Sequence, residues 1–125
     1  LKDLKFKKYN IILVSNKPEY YVKKILKFFD INKYFSAVSG GDTFAYRKPN
    51  PKHLYETIKL TKNTKGKCIF IGDSINDAIC AKKSGSKLIL MSYGYSDIDI
   101  NSMDADLILD SLKDLPNLVD DIEFN

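Results

Sequence analysis

The sequence has 125 residues, 44% of them hydrophobic and 29% charged, which is typical of one soluble globular domain with a real core. The net charge of +4 comes from lysines that alternate with Asp and Glu along the chain, and Arg47 is the only arginine. This pattern argues against nucleic-acid binding, since nucleic-acid binders cluster their basic residues. No apolar run of the sequence approaches the roughly 20 residues that a membrane-spanning helix needs.

The first strand and helix are predicted near the start of the chain. Asn10–Val14 (NIILV) is almost entirely apolar, as in a strand that is buried on both faces. Pro18 suits the first turn of a following helix. The apolar residues of that helix recur at helical spacing and are Tyr21, Val22, Ile25, Leu26 and Phe29.

A second strand and helix follow. Phe35–Ser39 predicts the strand, which the glycines after Ser39 end. Pro51 opens the next helix, and its predicted apolar stripe consists of Leu54, Tyr55 and Ile58.

The second half of the chain contains the clearest strand, Cys68–Ile71, which Gly72 ends. A helix is predicted from about Ser74 to Ser84, with Gly85 in the usual position after its last turn. Three further elements are predicted, namely strands at Leu88–Met91 and Leu107–Leu109 and a short helix at Leu112–Val119.

Alternating strands and helices indicate an α/β fold, a Rossmann-like parallel sheet with helices on both faces. In such sheets ligands bind beyond the carboxyl ends of the strands. The two isolated cysteines, Cys68 and Cys80, have no zinc-site spacing and are predicted to be buried apolar residues of a cytoplasmic protein.

The first candidate group lies directly after the first strand. Ser15 and Asn16 offer a hydroxyl and backbone N–H groups at a helix N-terminus, which suit a phosphate. Serine is also a common helix cap, and this alternative stays open on these residues alone.

The second candidate is Lys48, which precedes two prolines in Lys48-Pro49-Asn50-Pro51. The prolines restrict the backbone on both sides of Asn50 and make the loop stiff. A fixed ammonium can neutralise phosphoryl oxygens in a transition state. The alternative is a solvated surface lysine.

The third group opens the helix after Gly72. Asp73 and Asp77 are four residues apart, so their carboxylates can face the same side near the helix start. Two carboxylates form a suitable partial shell for Mg²⁺, which prefers hard oxygen ligands. Alternatively, Asp73 or Ser74 caps the helix and Asp77 lies in its first turn.

Together these groups resemble the haloacid dehalogenase superfamily of phosphatases, and most of all its phosphoglycolate phosphatase branch. The resemblance covers nearly the whole chain. The motifs that carry it are VSNKP (Val14–Pro18), SGGD (Ser39–Asp42), RKPNP (Arg47–Pro51), GDSINDAICAKKSG (Gly72–Gly85), YGY (Tyr93–Tyr95) and ADLILDSLKDL (Ala105–Leu115).

The resemblance implies a role for each matching residue. Ser15, with Asn16 beside it, would bind the phosphoryl group. Lys48 would also contact that group and balance the charge of the nucleophile as a catalytic residue. Asp73 would bind Mg²⁺ directly, and Asp77 would bind it through water or orient Lys48.

The chain departs from the family in lacking an apolar strand followed by Asp-x-Asp, which supplies the nucleophile and the general acid/base. Asp97-Ile98-Asp99 and Asp104-Ala105-Asp106 do not follow apolar strands and are not expected to replace it. The helical cap domain of the family is also missing. We therefore interpret residues 1–125 as the C-terminal part of the core domain, without its first strand and cap.

These observations predict a Mg²⁺-dependent phosphomonoester hydrolase that forms an aspartyl-phosphate on a nucleophile outside this chain. Its predicted partner is a small phosphorylated metabolite, 2-phosphoglycolate above all, and this chain alone is expected to be inactive. The alternative is a non-catalytic remnant that binds phosphate, metal or a partner protein. In the family the missing strand separates the strands that match Asn10–Val14 and Cys68–Ile71, so these two are not expected to pair.

Overall fold

A computed structural model describes residues 1–62, 66–93 and 103–122, which fall into two compact units, Leu1–Lys65 and Gly66–Asn125. Within these residues, none of the helices has the length and apolar character needed to span a membrane. In the first unit the elements are α1 (Lys2–Phe6), β1 (Ile12–Val14), α2 (Glu19–Phe28), β2 (Ala37–Ser39) and α3 (Pro51–Lys59). In the second unit they are β3 (Ile69–Gly72), α4 (Ile75–Lys83), β4 (Lys87–Met91), β5 (Leu107–Leu109) and α5 (Leu115–Leu118).

The first unit is built on a parallel strand pair. β1 and β2 run side by side, with Ile12 opposite Ala37 and Val14 opposite Ser39. Both strands are shorter than predicted. Every residue of β1 is only half-buried, so the expectation of a strand buried on both faces is wrong for this structure. The strand lies at the edge of its two-stranded sheet, which leaves part of its surface uncovered.

The helix after β1 begins where Pro18 predicted it, but it buries a narrower stripe. Val22 and Leu26 are buried, whereas Tyr21 and Phe29 are more than half exposed. Residues four apart lie on one helical face, and only the face of Val22 and Leu26 is covered by other residues.

The inner face of α3 also differs from the prediction. Leu54 is buried as expected, but Tyr55 is exposed, and the other buried residues of the helix are His53 and Thr57. Hydrogen bonds to Ser39 offset the cost of burying these two polar side chains. A pattern of apolar residues alone could not reveal a polar inner face.

The two glycines after β2 let two backbone segments come into contact. A Cβ atom on Gly40 would lie 2.5 Å from the Lys17 carbonyl oxygen, and one on Gly41 would lie still closer to the Asn16 carbonyl oxygen. The Gly41 amide donates to the Lys17 carbonyl at 2.7 Å. Glycine is therefore required here by close backbone approach.

We predict that Gly41→Ala lowers the free energy of unfolding by about 3 kcal/mol, near the upper end of typical overpacking losses, because a backbone carbonyl must move. Gly85→Ala is the control. Gly85 has φ +72°, and a Cβ atom added to it would meet no other atom within 4 Å, so its cost of about 1 kcal/mol is conformational only. Urea denaturation measures both losses. A Gly41→Ala loss no larger than that of Gly85→Ala would contradict the close approach.

The second unit contains a three-stranded parallel sheet in the order β3-β4-β5. β4 supplies its core, since Leu88, Ile89, Leu90 and Met91 are all buried. Helix α4 buries Cys80, as predicted, whereas Cys68 is only half-buried, so that part of the prediction is wrong; the two cysteines form no disulfide. The parallel α/β architecture predicted from the alternation of elements is confirmed.

β1 and β3 belong to different sheets, and each is the edge strand of its own sheet within the described residues. The prediction that these two strands do not pair is therefore confirmed. A parallel sheet is normally covered on both sides of its central strands, and an edge strand leaves backbone groups without a ladder partner.

Candidate active site

The segment after β1 carries the predicted Ser15 and Asn16. The Ser15 amide donates to the Ser39 carbonyl at 3.0 Å, which continues the pairing of β1 with β2. The Ser15 hydroxyl oxygen accepts from the Lys17 amide at 3.1 Å. This bond uses a lone pair of the oxygen and leaves the hydroxyl proton to act as a donor. Ser15 thus lies at the carboxyl end of a parallel strand, half-buried, where ligands bind in such sheets.

Asn16 and Lys48 are brought together across 32 residues of sequence. The Asn16 side-chain nitrogen donates to the Lys48 carbonyl at 2.9 Å, and the Asn16 side-chain oxygen accepts from the Lys48 amide at 3.0 Å. The side-chain amide of Asn16 therefore binds both the backbone N–H and the backbone C=O of Lys48. This arrangement fixes the Lys48 backbone, from which its side chain extends.

His53 is a further residue of this site, which the sequence analysis missed. Its Nδ1 accepts from the Lys48 amide at 3.1 Å, and its Nε2 lies 3.0 Å from the Ser39 hydroxyl. Burial lowers the pKa of His53 below its ordinary value of 6.5, and the Lys48 charge lowers it further. The only signal available in the sequence was that His53 is its single histidine and lies two residues after Pro51.

The SGGD segment organises the start of α2. An Asp42 carboxylate oxygen accepts from the Glu19 amide at 2.8 Å, so a residue from a distant loop caps this helix. The Thr43 hydroxyl accepts from the Gly40 amide at 2.8 Å and donates to the Glu19 carboxylate at 3.2 Å. These bonds tie the loop after β2 to the loop after β1. The role of Asp42 is therefore to position the segment that carries Ser15.

Asp73 and Asp77 adjoin each other at the start of α4. An Asp77 carboxylate oxygen accepts from the Asp73 amide at 3.0 Å and from the Ser74 hydroxyl at 3.1 Å. The Ser74 side chain in turn accepts from the Asp77 amide at 3.3 Å and is the helix cap. Ser74 therefore caps the helix, as one alternative held, and the buried Asp77 carboxylate is held in a fixed orientation.

Gly72 makes room for this carboxylate. A Cβ atom on Gly72 would lie 2.5 Å from an Asp77 carboxylate oxygen and closer still to the Asp77 Cβ. Any larger residue would displace Asp77. The strand, the glycine and the first helical turn thus act together to hold the Asp77 carboxylate at the carboxyl end of β3, next to the Asp73 amide.

Of the two Asp-x-Asp strings, Asp104-Ala105-Asp106 lies within the described residues, and both of its aspartates have hydrogen-bond partners. Asp104 forms an ion pair with Lys82 at 2.6 Å, and this hydrogen bond lowers the pKa of its exposed carboxyl. Asp106 accepts from the Leu88 amide at 2.8 Å, just before β5. The other string, Asp97-Ile98-Asp99, lies outside the described residues, as does most of the YGY motif.

The oxygen ligands at Asp73 and Asp77 fit Mg²⁺ in their chemistry, because both are carboxylates and one is already oriented by hydrogen bonds. In residues 1–62, 66–93 and 103–122, no three or more His, Cys, Asp or Glu side chains gather as a metal-binding group. The pair by itself would therefore be a partial set of ligands for Mg²⁺. Mg²⁺ commonly keeps several waters and needs only one or two protein carboxylates.

Each unit therefore carries its own group of candidate residues. In the first unit the structure joins Asn16 to Lys48 and adds His53, with Ser15 next to Asn16. In the second unit it joins Asp77 to Asp73. Parallel strands with polar and charged groups at their carboxyl ends define the class of α/β fold in which ligands bind at those ends.

Comparison with known proteins agrees with that class. A sequence model of the haloacid dehalogenase-like hydrolases matches residues 1–91. Because this match covers more than half of the chain, the chain belongs to the haloacid dehalogenase-like hydrolase family.

Its relatives include phosphoglycolate phosphatases. The enzyme of Aquifex aeolicus is 35% identical over 126 residues, which cover 99% of this chain and 58% of that protein. The enzyme of Salmonella typhi is 38% identical over 104 residues, which cover 82% of this chain and 41% of that protein. The chain thus spans about half the length of these relatives.

Solved structures show the same fold. The crystal structure of a predicted phosphoglycolate phosphatase from Haemophilus somnus superposes with a TM-score of 0.85 at 30% identity, over 94% of this chain and 53% of that one. A putative β-phosphoglucomutase from Thermotoga maritima gives a TM-score of 0.81 at 18% identity, over 98% of this chain and 57% of that one, and supports the fold alone.

Proposed function

We propose that the protein to which these 125 residues belong is a Mg²⁺-dependent phosphomonoester hydrolase. The observation that carries this proposal is the anchoring of Lys48. Asn16 and His53 hold its backbone by three hydrogen bonds in a loop with two prolines. A charge that is positioned before the reaction needs no reorganisation when negative charge develops on phosphoryl oxygens.

Ser15 and Asn16 are proposed to bind the phosphoryl group with Lys48. The Ser15 hydroxyl would donate a hydrogen bond to a phosphoryl oxygen while its own oxygen accepts from the Lys17 amide. The Asn16 side chain is engaged with Lys48, so its proposed contribution to the phosphoryl group is its backbone N–H.

Asp73 and Asp77 are proposed to hold Mg²⁺, with Asp73 as the direct ligand and Asp77 acting through water. The hydrogen bonds from the Asp73 amide and the Ser74 hydroxyl orient the Asp77 carboxylate for this task. When bound, Mg²⁺ would neutralise charge on the phosphoryl oxygens.

The nucleophile of the proposed reaction is an aspartate outside these 125 residues. Its attack on phosphorus would form an aspartyl-phosphate and release the alcohol, and water would then hydrolyse that intermediate to aspartate and phosphate. Residues 1–125 would be the C-terminal part of the core domain, with the first strand and the cap supplied elsewhere in the protein. This division agrees with the half-length coverage of the relatives.

The proposed substrate is a small phosphorylated metabolite, and 2-phosphoglycolate is the first choice because the named relatives are phosphoglycolate phosphatases. We propose a cytoplasmic location, since the two cysteines form no disulfide and burial raises the pKa of the Cys68 thiol, which makes it less reactive.

The test compares the 125-residue chain with the longer protein. With Mg²⁺, an aryl phosphate and 2-phosphoglycolate, the chain alone is expected to show no turnover because no covalent step is possible without the nucleophile. The longer protein is expected to hydrolyse 2-phosphoglycolate. EDTA-sensitive turnover by the chain alone, lost in Asp73→Asn, would mean that the nucleophile lies within it. An inactive longer protein that still binds phosphate or Mg²⁺ would support the non-catalytic alternative instead.

A further inference from the structure

The strongest observation outside the assigned site residues is a buried polar network around His53. Three side chains, Ser39, His53 and Thr57, each have 0% of their surface exposed. They come from β2 and α3, and the network reaches Lys48 through the histidine ring. Burying three polar side chains is costly unless each is hydrogen-bonded, and every one of them is.

The direction of each hydrogen bond follows from the donors. The Lys48 amide can only donate, so Nδ1 of His53 must be an unprotonated acceptor. A neutral ring then carries its proton on Nε2 and donates it to the Ser39 hydroxyl oxygen, 3.0 Å away. The contact with Lys48 thus selects one tautomer of the ring.

The remaining two bonds agree with this direction. The Thr57 hydroxyl donates to the His53 carbonyl at 2.7 Å, so its oxygen acts as an acceptor toward Ser39. The Ser39 hydroxyl, 2.6 Å from the Thr57 oxygen, must then be the donor. His53 therefore donates a hydrogen bond to Ser39, Ser39 donates one to Thr57, and Thr57 donates one to the backbone carbonyl of His53.

We propose that His53 is a positioning residue for Lys48, in the neutral form with its proton on Nε2; its catalytic consequence rests on the function proposed above. Ser39 and Thr57 hold the ring, and the ring and Asn16 together hold the Lys48 backbone. A lysine side chain has several rotatable bonds. Fixing the backbone from which it extends reduces the volume that its ammonium samples. This narrowing places the charge before the substrate arrives.

Protonation of the ring would undo this arrangement. A proton on Nδ1 would face the Lys48 amide proton, and two donors cannot bond to each other. The groups around the ring are the charged Lys48, the hydroxyls of Ser39 and Thr57, the backbone of Gly40 and the aromatic ring of Phe44. The burial and the Lys48 charge outweigh the Gly40 hydrogen bond and oppose protonation.

Two substitutions of His53 distinguish a role in positioning Lys48 from a role in filling space in the core. In His53→Asn the side-chain oxygen can occupy the place of Nδ1 and accept from Lys48, but the contact with Ser39 is lost. In His53→Gln the amide reaches Ser39, but the second acceptor of the Lys48 amide is lost and only the Asn16 oxygen remains. Glutamine matches the volume of histidine better, so a purely structural role predicts that His53→Gln is the milder change.

In the longer protein the proposal predicts the opposite order. His53→Gln should lower kcat on the order of 10-fold or more, as for other groups that orient a functional side chain, with little change in KM. His53→Asn should recover most of that loss. Equal losses, or a milder His53→Gln, would overturn the positioning role. If His53→Gln fails to fold, Ser39→Ala provides the test, because loss of the hydroxyl that accepts from Nε2 releases the ring and should also lower kcat more than it raises KM.

A second measurement needs no activity. In the longer protein, labelled with nitrogen-15 histidine, the ring signals of His53 are identified by their absence from the spectrum of His53→Asn. Nδ1 should show the shift of an unprotonated acceptor and Nε2 that of a protonated nitrogen, and this should persist below pH 6.5, the ordinary pKa of histidine. Equal nitrogen shifts, or a proton on Nδ1, would overturn the network. If the longer protein proves not to be a phosphatase, this spectrum still decides whether His53 holds Lys48.

Discussion

Replacing Lys48 by alanine in the longer protein is expected to lower kcat on the order of 10²-fold or more, with a smaller rise in KM. The reason is that the ammonium acts most strongly where negative charge develops, which is in the transition state. The three hydrogen bonds to the Lys48 backbone do not depend on its side chain, so the loop should keep its conformation in the variant. Steady-state kinetics with 2-phosphoglycolate measures both constants.

Lys59→Ala is the matched control for this experiment. Lys59 is the last residue of α3, and its ammonium is mostly exposed and pairs with Glu56 at 3.1 Å. Exposed ion pairs contribute little, so this variant should keep its kcat. If Lys48→Ala behaved like Lys59→Ala, Lys48 would be an ordinary surface lysine. The variant Lys48→Arg should not have full activity, because its planar guanidinium places the charge differently from an ammonium.

The substitution Asp73→Asn is expected to raise the Mg²⁺ concentration that gives half-maximal activity by about 100-fold. This effect equals or exceeds the loss of metal affinity caused by removing a residue that hydrogen-bonds to a metal ligand. The substitution removes one negative charge from a hard-oxygen site and keeps the size of the side chain. At saturating Mg²⁺ part of the activity should return. Activity is measured as a function of Mg²⁺ concentration, and Mg²⁺ affinity is measured separately by calorimetry.

Two further variants make the assignment of Asp73 specific. Asp104→Asn is the same chemical change at an exposed carboxylate that pairs with Lys82, and it should leave the Mg²⁺ dependence unaltered. Asp77→Asn retains an oxygen that can accept from the Asp73 amide and the Ser74 hydroxyl, so the helix start should persist. We expect its effect on Mg²⁺ to be smaller than that of Asp73→Asn. The reverse order would make Asp77 the direct ligand.

Local signals in the sequence were sufficient for most elements of the fold, and they indicated candidate residues whose roles stay predictions. Continuous apolar segments marked the strands, since a parallel strand has neighbours on both sides and helices over its faces. Pro51 and Gly85 marked a helix start and a helix end because their effects on the backbone are local. The spacing of Asp73 and Asp77 likewise placed both residues at one helix start, where the Asp73 amide donates to the Asp77 carboxylate.

Tertiary structure alone decided what holds these residues in place. Asn16 was chosen as part of a phosphate-binding segment, but its side chain holds Lys48 from 32 residues away. His53 and Thr57 form the inner face of α3 because Ser39 of β2 lies within hydrogen-bonding distance, and no apolar periodicity encodes such a partner. Sequence patterns record preferences of short segments, whereas a buried polar group is stable only where distant segments bring it a partner.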